Sequence, residues 1–248
     1  MKALILAAGY AVRLYPLTKQ YPKPLLKVGK KPIINYIIDK LELIDEINEI
    51  IIVTNSKFIP VFEKWASKIN CRKRISLVDD LTSSPLDRRG AIGDMDFTIN
   101  KKNINDDLLV VGGDNLFDGT LKEFLSFAKL VKGHPVIGAY DIKNLAQANK
   151  YGVIELDKKN KIIDFKEKPQ KPKSTLVAMC LYYFPKTKLK LIKEYLKDKK
   201  HKSDATGFYI DWLRKKDQVY GFVYNGQWYD IGDKKFYSRA RNNFKEGK

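Results

Sequence analysis

The chain opens with Lys2-Ala3-Leu4-Ile5-Leu6-Ala7-Ala8-Gly9, an aliphatic run that ends in small residues. This run predicts a buried first strand over Ala3–Ala7. No G-x-G-x-x-G pattern follows it, and prolines at positions 16, 22 and 24 prevent a helix from starting directly after Gly9. The strand is therefore expected to open into a loop of about 15 residues, a length that is uncommon in a compact domain unless the loop has a function.

Outward from this strand, aliphatic runs alternate with amphipathic stretches of helical length. Further strands are predicted at Glu49–Thr54, Arg74–Val78, Asp107–Gly112 and Pro135–Tyr140. Helices are predicted at Pro32–Leu43, Phe58–Lys68, Ala91–Asn100 and Leu121–Val131. This alternation favours an α/β fold with a Rossmann-like, mostly parallel sheet flanked by helices. In such sheets ligands bind beyond the carboxyl ends of the strands.

The pattern changes after residue 141. Antiparallel strands are predicted at Tyr151–Leu156, Ile162–Lys166 and Leu176–Phe184, and later strands at Val219–Tyr224 and Gln227–Asp230. Helices are predicted near Lys186–Lys197 and Ala205–Lys215, and a last helix from Lys234. We therefore predict one domain over residues 1–248, in which a parallel part (1–140) is followed by a smaller antiparallel part (141–248).

Composition narrows the class of protein. Apolar residues make up 44% of the 248 residues and charged residues 31%, which allows a sizeable core. The net charge of +18 suits nucleic acid, polyanionic small substrates or simply a lysine-rich surface. The lysines are scattered and no nucleic-acid-binding signature accompanies them, so we expect no nucleic-acid partner. No apolar run approaches the ~18 residues of a membrane span, so no membrane partner is expected. Cys71 and Cys180 lie far apart, which favours a reduced, cytoplasmic protein.

The loop after the first strand has the composition of a phosphate site. Backbone N–H groups near Gly9 suit an anion nest, and Arg13 and Lys23 add fixed positive charge. An ordinary surface loop with solvated cations explains the composition equally well. The spacing is more specific: Leu6-Ala7-Ala8-Gly9, Arg13-Leu14-x-Pro16-Leu17-Thr18, Pro22-Lys23-Pro24-Leu25-Leu26-x-Val28 and Lys31-Pro32-Ile33-Ile34.

This pattern resembles the signature of the sugar-phosphate nucleotidyltransferase family, and most of all that of glucose-1-phosphate thymidylyltransferases and uridylyltransferases in a short form without a C-terminal extension. The resemblance implies the fold of nucleotide-diphospho-sugar transferases, with residues 1–140 binding the nucleotide and residues 141–248 the acceptor. It implies that Arg13 and Lys23 contact phosphates during catalysis. The nucleotide-binding residues that it implies are Leu6, Ala8, Gly9, Arg13, Lys23, Gly90 and Asp114.

Two aspartates are candidates for a metal. Asp114 follows the paired glycines 112 and 113 at a predicted strand end, and Asp230 ends another strand. Mg²⁺ takes a few carboxylates and leaves its other positions to water and phosphates. A turn or a helix cap would also explain Asp114. The resemblance favours the metal, since Gly113-Asp114-Asn115-x-Phe117 and Trp228-x-Asp230-x-Gly232 match the family's metal-binding motifs. Asp233 either adds charge near the metal or caps the next helix; we favour the cap.

A third match concerns the acceptor. Tyr151-Gly152-Val153-Ile154 is followed by Phe165-Lys166-Glu167-Lys168-Pro169. In the family this segment carries a glutamate that binds sugar hydroxyls and a lysine that binds the sugar phosphate, which correspond to Glu167 and Lys168. A lysine- and glutamate-rich surface strand is the plainer alternative.

The sequence departs from the family at several positions. Ala11 and Val12 replace a glycine and a threonine, and Cys180 stands where glycine is usual. The segment 79–94, which reads the base in the family, lacks the usual glutamine; Thr82 and Ser83 are candidates for hydrogen bonds to a pyrimidine.

The function expected from the resemblance is Mg²⁺-dependent transfer of a nucleoside monophosphate from a nucleoside triphosphate, dTTP or UTP, to a sugar 1-phosphate. Three alternatives remain. They are cytidylyl transfer to a sugar phosphate or a phosphocholine-like acceptor, a catalytically silent nucleotide-sensing subunit, and nucleic-acid binding. The base, the acceptor and the presence of a homo-oligomer are left open.

Overall fold

The structure, a computed structural model, describes residues 1–244. Thirteen strands lie within this range: β1 (Lys2–Leu6), β2 (Lys27–Val28), β3 (Lys31–Pro32), β4 (Glu49–Thr54), β5 (Arg74–Asp79), β6 (Leu108–Gly112), β7 (Asn115–Phe117), β8 (Val136–Asp141), β9 (Gly152–Leu156), β10 (Ile162–Glu167), β11 (Leu176–Phe184), β12 (Tyr220–Tyr224) and β13 (Trp228–Asp230). The α-helices in the same range are α1 (Ile33–Glu42), α2 (Ile59–Ala66), α3 (Gly90–Lys101), α4 (Leu121–Leu130), α5 (Leu145–Ala148), α6 (Lys190–Lys197), α7 (Thr206–Lys216) and α8 (Lys234–Asn243).

A nine-stranded sheet forms the centre of the molecule. Its main path runs β10-β9-β11-β6-β1-β4-β5, and β8 joins it by pairing with β11 and β12. β1 is parallel to both β4 and β6, and β4 is parallel to β5. β11 is antiparallel to β6, β8 and β9, and β9 and β10 form an antiparallel hairpin. The predicted fold class, a mostly parallel sheet flanked by helices with a smaller antiparallel region, is confirmed.

The aliphatic character of β1 follows from its position between two helical layers. Ala3 and Ile5 point into the core that includes residues of α1, α2 and α4. Leu4 points the other way, into the core formed with residues of α3, α6 and α7. All three side chains are fully buried. A strand buried on both faces reads as a continuous apolar run rather than as an alternating one, which is why the first residues predict a central strand.

The main strands and helices lie within a few residues of their predicted bounds, and the differences are local. The predicted helix Lys186–Lys197 begins with a separate 3-10 turn over Lys186–Lys188, and α6 follows it. The short strands β2, β3 and β7 and the one-turn helix α5 were not predicted, whereas the equally short β13 lies within the predicted strand Gln227–Asp230. The division into parts 1–140 and 141–248 stays a prediction.

The long strand β11 is interrupted at Cys180. Leu176–Ala178 pair with β8, and the pairing resumes at Tyr182 after a register shift. Cys180 has a φ of 53°, in the left-handed region that favours glycine. A bulge of this kind bends a strand and turns a side chain toward a site. The Sγ atom of Cys180 consequently lies beside Gly112, where a Cβ would approach it to 2.9 Å.

Within residues 1–244, no helix combines the length and the apolar character that crossing a bilayer requires.

Candidate active site

The predicted site residues on β1 and β6 meet because these strands are parallel neighbours. Leu6 is in register with Gly112, and the Gly113 N–H donates to the Leu6 carbonyl oxygen at 2.9 Å. A Cβ on Gly113 would lie 2.9 Å from that oxygen and 3.0 Å from Cγ of Pro24. The paired glycines therefore allow the end of β6 to pack closely against the loop that carries Lys23.

At this edge Lys23 forms an ion pair with Asp114. Their side chains keep only 17% and 25% of their exposure. Burial opposes the charge on Lys23, but the carboxylates of Asp114 and Asp230 outweigh it and raise the pKa of the ammonium. The ammonium therefore remains charged between two carboxylates.

Asp230 reaches Asp114 through the antiparallel pairing of β13 with β7. This pairing places Asp230 opposite Asn115, and the Ile231 N–H approaches the Asp114 carbonyl oxygen at 3.4 Å. Burial, and then the charge of Asp114, raise the pKa of Asp230 to about 6. The two carboxylates thus repel each other across a partly buried site, an arrangement that a cation relieves.

The residues present fit a hard divalent cation. Within residues 1–244 no group of three or more His, Cys, Asp or Glu side chains has the spacing of a protein-only metal site. Asp114 and Asp230 would supply two oxygen ligands and leave the other positions to phosphates and water, which is how Mg²⁺ is usually held. In this structure the Lys23 ammonium compensates their charge instead.

A cationic cleft of about 320 Å³ opens beside Asp230. Arg13 and Lys168 line it, from the loop after β1 and from the end of β10, and Lys150 adds a third positive charge. The positive charges of Lys23, Lys168 and Arg13 all act against the rise in the pKa of Asp230. The cleft thus brings together three of the predicted residues, Arg13, Lys168 and Asp230, and has the charge that a phosphorylated substrate requires.

The amide of Asn115 holds the surroundings of the carboxylates in place. Its Nδ2 donates to the carbonyl oxygens of Met179 and Cys180, and its Oδ1 accepts from Trp228 Nε1 at 2.5 Å. One side chain therefore connects β7, the bulge of β11 and the aromatic end of β13. Burial and the neighbouring carboxylates raise the pKa of the Cys180 thiol to about 12, so this thiol stays neutral.

The two predicted acceptor residues lie at the end of β10. The Glu167 carboxylate is enclosed by Gly152 and Gly207, and a side chain at Gly207 would overlap it. Burial raises the pKa of Glu167, and the ammonium of Lys168, 3.6 Å from Oε1, opposes that rise. Gly207 was not predicted, because the space at this glycine is needed by Glu167, which lies on a strand far from it in sequence.

In the loop after β1, Ala8 is buried whereas Gly9 is exposed, with no atom within 4 Å of where its Cβ would be. Ala11 has a φ of 48°, so the substitution of the family's glycine occurs at a position where the backbone is left-handed. The Thr18 hydroxyl donates to the Ala11 carbonyl oxygen at 2.7 Å and fixes this turn.

The segment 79–90 is held by its own side chains. Thr82 donates its hydroxyl to Asp80, and Ser83 donates to Asp87, so both hydroxyls proposed for base recognition have internal partners. Gly90 has a φ of 75°, and a Cβ there would lie 2.6 Å from the Ser203 carbonyl oxygen. Gly90 therefore fixes the start of α3 against the segment that precedes α7.

A pair of buried acids lies beneath this segment and was not predicted. Asp94, on α3, and Asp80 are both buried, and their carboxyls interact. Burial raises the pKa of both carboxyls, and the Asp80 charge raises that of Asp94 further. Burial and the Asp80 charge thus favour the neutral form of Asp94. In the sequence, Asp94 lies between the apolar residues Ile92 and Met95 of α3, which hints at a buried position. A single polar residue in a helix is too common to predict a pair of interacting acids.

Asp233 caps α8: its Oδ1 accepts from the Phe236 N–H at 2.9 Å. This matches the favoured interpretation of Asp233, although its carboxylate also lines the cationic cleft.

Comparisons with known proteins identify the family of the chain. The family model described as nucleotidyl transferase matches residues 2–247. A bifunctional protein GlmU of Methanocaldococcus jannaschii is 32% identical over 94% of this chain and 51% of its own length. A bifunctional sugar-1-phosphate nucleotidylyltransferase/acetyltransferase of Sulfurisphaera tokodaii is 30% identical over 94% of this chain and 52% of its own. The chain thus spans about half the length of these curated relatives.

Solved structures agree on the fold. A putative glucose-1-phosphate thymidylyltransferase from Bacillus anthracis, in complex with a sucrose, superposes with a TM-score of 0.81 at 24% identity, over 100% of this chain and 98% of that one. A UDP-glucose pyrophosphorylase complexed with UDP-glucose gives 0.80 at 22% identity, over 97% of both chains. The family model covers almost the whole chain, and the loop after β1 carries the spacing that the family signature requires. This chain therefore belongs to the nucleotidyl transferase family.

Proposed function

We propose that the protein transfers a nucleoside monophosphate from a nucleoside triphosphate to a sugar 1-phosphate, with Mg²⁺ as cofactor and with pyrophosphate as the second product. The observation that carries the proposal is the meeting of Asp114, Asp230 and Lys23 at the carboxyl ends of the sheet, beside a cleft lined by Arg13 and Lys168. These groups come from four separate segments of the chain. Charged residues on an ordinary surface would not be expected to lie together in this way.

The reaction requires positioning and charge neutralisation more than covalent help from the protein. A phosphate oxygen of the acceptor attacks the α-phosphorus of the triphosphate in line. The bond from that phosphorus to the bridging oxygen breaks, and the electron pair leaves with pyrophosphate. The attacking oxygen is already anionic, so no general base is required.

Each charged side chain has a part in this scheme. Arg13 and Lys23 neutralise the triphosphate, and Lys23 exchanges its contact with Asp114 for phosphate oxygens when the nucleotide binds. Lys168 holds the acceptor phosphate, and Glu167 accepts hydrogen bonds from acceptor hydroxyls. Asp114 and Asp230 would hold Mg²⁺, which supplies charge neutralisation between the two reacting phosphates when bound.

The donor proposed is dTTP or UTP, on the strength of the pattern in the loop after β1. The nucleotide-binding role extends to Leu6, Ala8, Gly9 and Gly90, which lie along the same edge of the sheet. We place the reaction in the cytoplasm, since Cys71 and Cys180 are both free thiols. One relative, a putative mannose-1-phosphate guanyltransferase of Sulfolobus acidocaldarius, carries the name of a different base and is 30% identical over 96% of this chain.

The test is a matrix of the four ribonucleoside triphosphates and dTTP against several sugar 1-phosphates and phosphocholine, read by pyrophosphate release with and without a chelator. Asp114→Asn and Lys23→Ala should lower turnover by about two to three orders of magnitude, as the loss of groups that stabilise developing charge does. The exposed control variants Asp45→Asn and Lys64→Ala should turn over normally.

The outcomes separate the alternatives. Release with CTP and phosphocholine alone would assign the cytidylyl transfer considered above. No release with any pair would leave a nucleotide-sensing subunit, and normal turnover in both site variants would remove the assignment of these residues.

A further inference from the structure

The segment between β5 and α3, residues 79–90, lies against the loop after β1. The two residues that follow β4 connect them. Asn55 Nδ2 donates to the Ala8 carbonyl oxygen at 2.8 Å, and the Ser56 N–H donates to the Thr82 carbonyl oxygen at 2.9 Å. The segment therefore lies at the carboxyl ends of the parallel strands, where sheets of this kind bind their ligands.

Two hydroxyl groups link a buried carboxylate of this segment to the loop after β1. The Thr82 N–H and the Thr82 hydroxyl both donate to Asp80 Oδ1, at 2.7 and 2.8 Å. Because Thr82 has then used its only hydroxyl proton, the Tyr10 hydroxyl must be the donor in its 3.2 Å contact with Thr82 Oγ1. The direction of these hydrogen bonds, from Tyr10 to Thr82 to Asp80, requires that Asp80 act as an acceptor. We call this arrangement the hydroxyl chain.

Asp94 interacts with Asp80 from the side of α3. The two residues are almost completely buried, with exposed fractions of 7% and 1%. Among residues 1–244, no group forms a hydrogen bond with Asp94 Oδ1. A buried carboxylate with an unpartnered oxygen is costly, whereas a neutral carboxyl is better tolerated and carries an O–H donor. Since Asp80 has to accept, a neutral Asp94 is the form that suits it.

The charges around Asp94 favour the same form. Burial, and then the Asp80 charge, raise the pKa of Asp94 to about 8, and the Arg89 charge opposes the rise. Arg89 comes from the turn before α3 and donates its Nε–H to the Asp80 carbonyl oxygen at 2.6 Å. The carboxylates of Asp79 and Asp87 accept hydrogen bonds from nearby serine hydroxyls. β1, α6 and α7 also pack against α3, and in the described part of the chain they place no charge that shifts the pKa of Asp94.

We infer that Asp94 is a positioning residue for the nucleoside triphosphate: its neutral form keeps Asp80, and with it the hydroxyl chain, in the arrangement that binds the nucleotide. An ionised Asp94 would repel the carboxylate on which the hydroxyl chain ends. Nucleotide binding is then coupled to a proton on a side chain that lies beneath the binding edge. This inference rests on the proposed function, which places the triphosphate at the loop after β1.

Calorimetry tests the coupling without turnover. UTP and dTTP are titrated separately into the wild type at pH 7 and at pH 9, with Mg²⁺ and no acceptor. With a pKa of about 8, roughly nine-tenths of Asp94 is neutral at pH 7 and roughly one-tenth at pH 9. Because only the neutral form is expected to bind, the apparent affinity should fall about tenfold. Lys23 stays charged over this range, since the neighbouring carboxylates raise its pKa.

Two variants of Asp94 and one control separate positioning from a general effect of pH. Asp94→Asn has a donor at every pH, so it should bind with the same affinity at pH 7 and pH 9. Asp94→Leu has no donor and should bind about tenfold more weakly than Asp94→Asn at both. Asp96→Asn removes a carboxylate from the nearly opposite side of α3 and should keep the fall. Near-UV circular dichroism at both pH values shows whether each protein is folded.

Equal affinities of the wild type at the two pH values, a fall that survives in Asp94→Asn, a fall that is lost in Asp96→Asn, or no binding of either triphosphate would each overturn the inference. A fall that depends on Asp94 in a protein that releases no pyrophosphate would support the inference and count against the proposed function. Pyrophosphate release combined with equal nucleotide affinities at both pH values would support the proposed function and overturn the inference.

Discussion

The Lys23→Met variant removes a charge from between two carboxylates and nearly preserves the length of the side chain. In the wild type the ammonium contacts Asp114, and the Asp230 carboxylate also favours its charged form. Without it, Asp114 and Asp230 repel each other at the end of the sheet. The variant should therefore unfold more readily than the wild type in a metal-free buffer.

The exposure of the pair sets the size of the effect. Removing one partner of a fully buried ion pair costs about 3–5 kcal/mol. The Lys23 and Asp114 side chains keep 17% and 25% of their exposure, so solvent screens part of the interaction. We expect a loss of about 2–3 kcal/mol, which corresponds to a decrease in Tm of roughly 4–12 °C for a chain of this size.

Thermal unfolding in a chelator measures this loss, with the exposed Lys64→Met as the control that should leave the Tm unchanged. Adding Mg²⁺ should then stabilise Lys23→Met more than the wild type, because the ammonium no longer competes for the carboxylates. At a concentration of Mg²⁺ 100-fold above its Kd the gain is about 2.7 kcal/mol. An unchanged Tm in chelator would refute the electrostatic reasoning, and an equal response to Mg²⁺ in both proteins would refute the placement of the metal.

Substitutions at three further positions test other parts of the site. The pKa of Asp94 is about 8 because burial, and then the Asp80 charge, disfavour ionisation. Its acid form stabilises the fold fully below the unfolded pKa of about 4, and this stability is lost as the pH rises toward 8. Asp94→Asn should therefore raise the free energy of unfolding at pH 8 by on the order of 1–3 kcal/mol, with a matching rise in Tm, and by much less at pH 4. Equal changes at the two pH values would contradict the pairing with Asp80. Gly207→Ala should displace the Glu167 carboxylate and raise KM for the acceptor while KM for the nucleotide stays the same, so an unaltered acceptor KM would count against Glu167. Asp233→Ala should lose about 1 kcal/mol of stability in urea unfolding and Asp233→Asn almost none; a loss of turnover in the stable Asp233→Asn would show that the carboxylate does more than cap α8.

The fold was predictable because the central strands can be recognised from their own sequences. β1 and β4 are buried on both faces, so their sequences are continuous aliphatic runs that only a central strand explains. The loop after β1 was predictable for the opposite reason, because three prolines prevent an α-helix from starting directly after Gly9, and only the short 3-10 helices Val12–Leu14 and Lys23–Leu25 form there. Family membership followed from the spacing of those residues, and the family model confirmed it.

The neighbours of each site residue were not predictable. Asp114 and Asp230 were singled out by strand ends and motif, but their meeting depends on the pairing of β7 with β13, two strands of three residues each. Gly207 and the Asp80–Asp94 pair depend on where α7 and α3 pack. Such contacts join segments far apart in sequence, and local patterns do not record which distant residue a side chain will face.

The substituted glycines show a related limit. The sequence shows that Ala11 and Cys180 stand where the family has glycine. It does not show which backbone φ angle these two residues adopt. Both residues have a left-handed φ, at 48° and 53°. The backbone at both positions is one that glycine adopts more readily, and the side chains cost about 1 kcal/mol each relative to glycine.

The pairing of β7 with β13 has a consequence for the order in which the protein is made. On the ribosome, Lys23 and Asp114 emerge long before Asp230, so the first ion pair can form while the second carboxylate does not yet exist. The repulsive arrangement arises only when β13 pairs with β7 to form their two-stranded sheet. Because contacts so distant in sequence form slowly, we expect the two-carboxylate site to be among the last features to mature during folding. If the proposed site binds a divalent cation, a nascent chain would therefore do so at this site only once residue 230 has emerged.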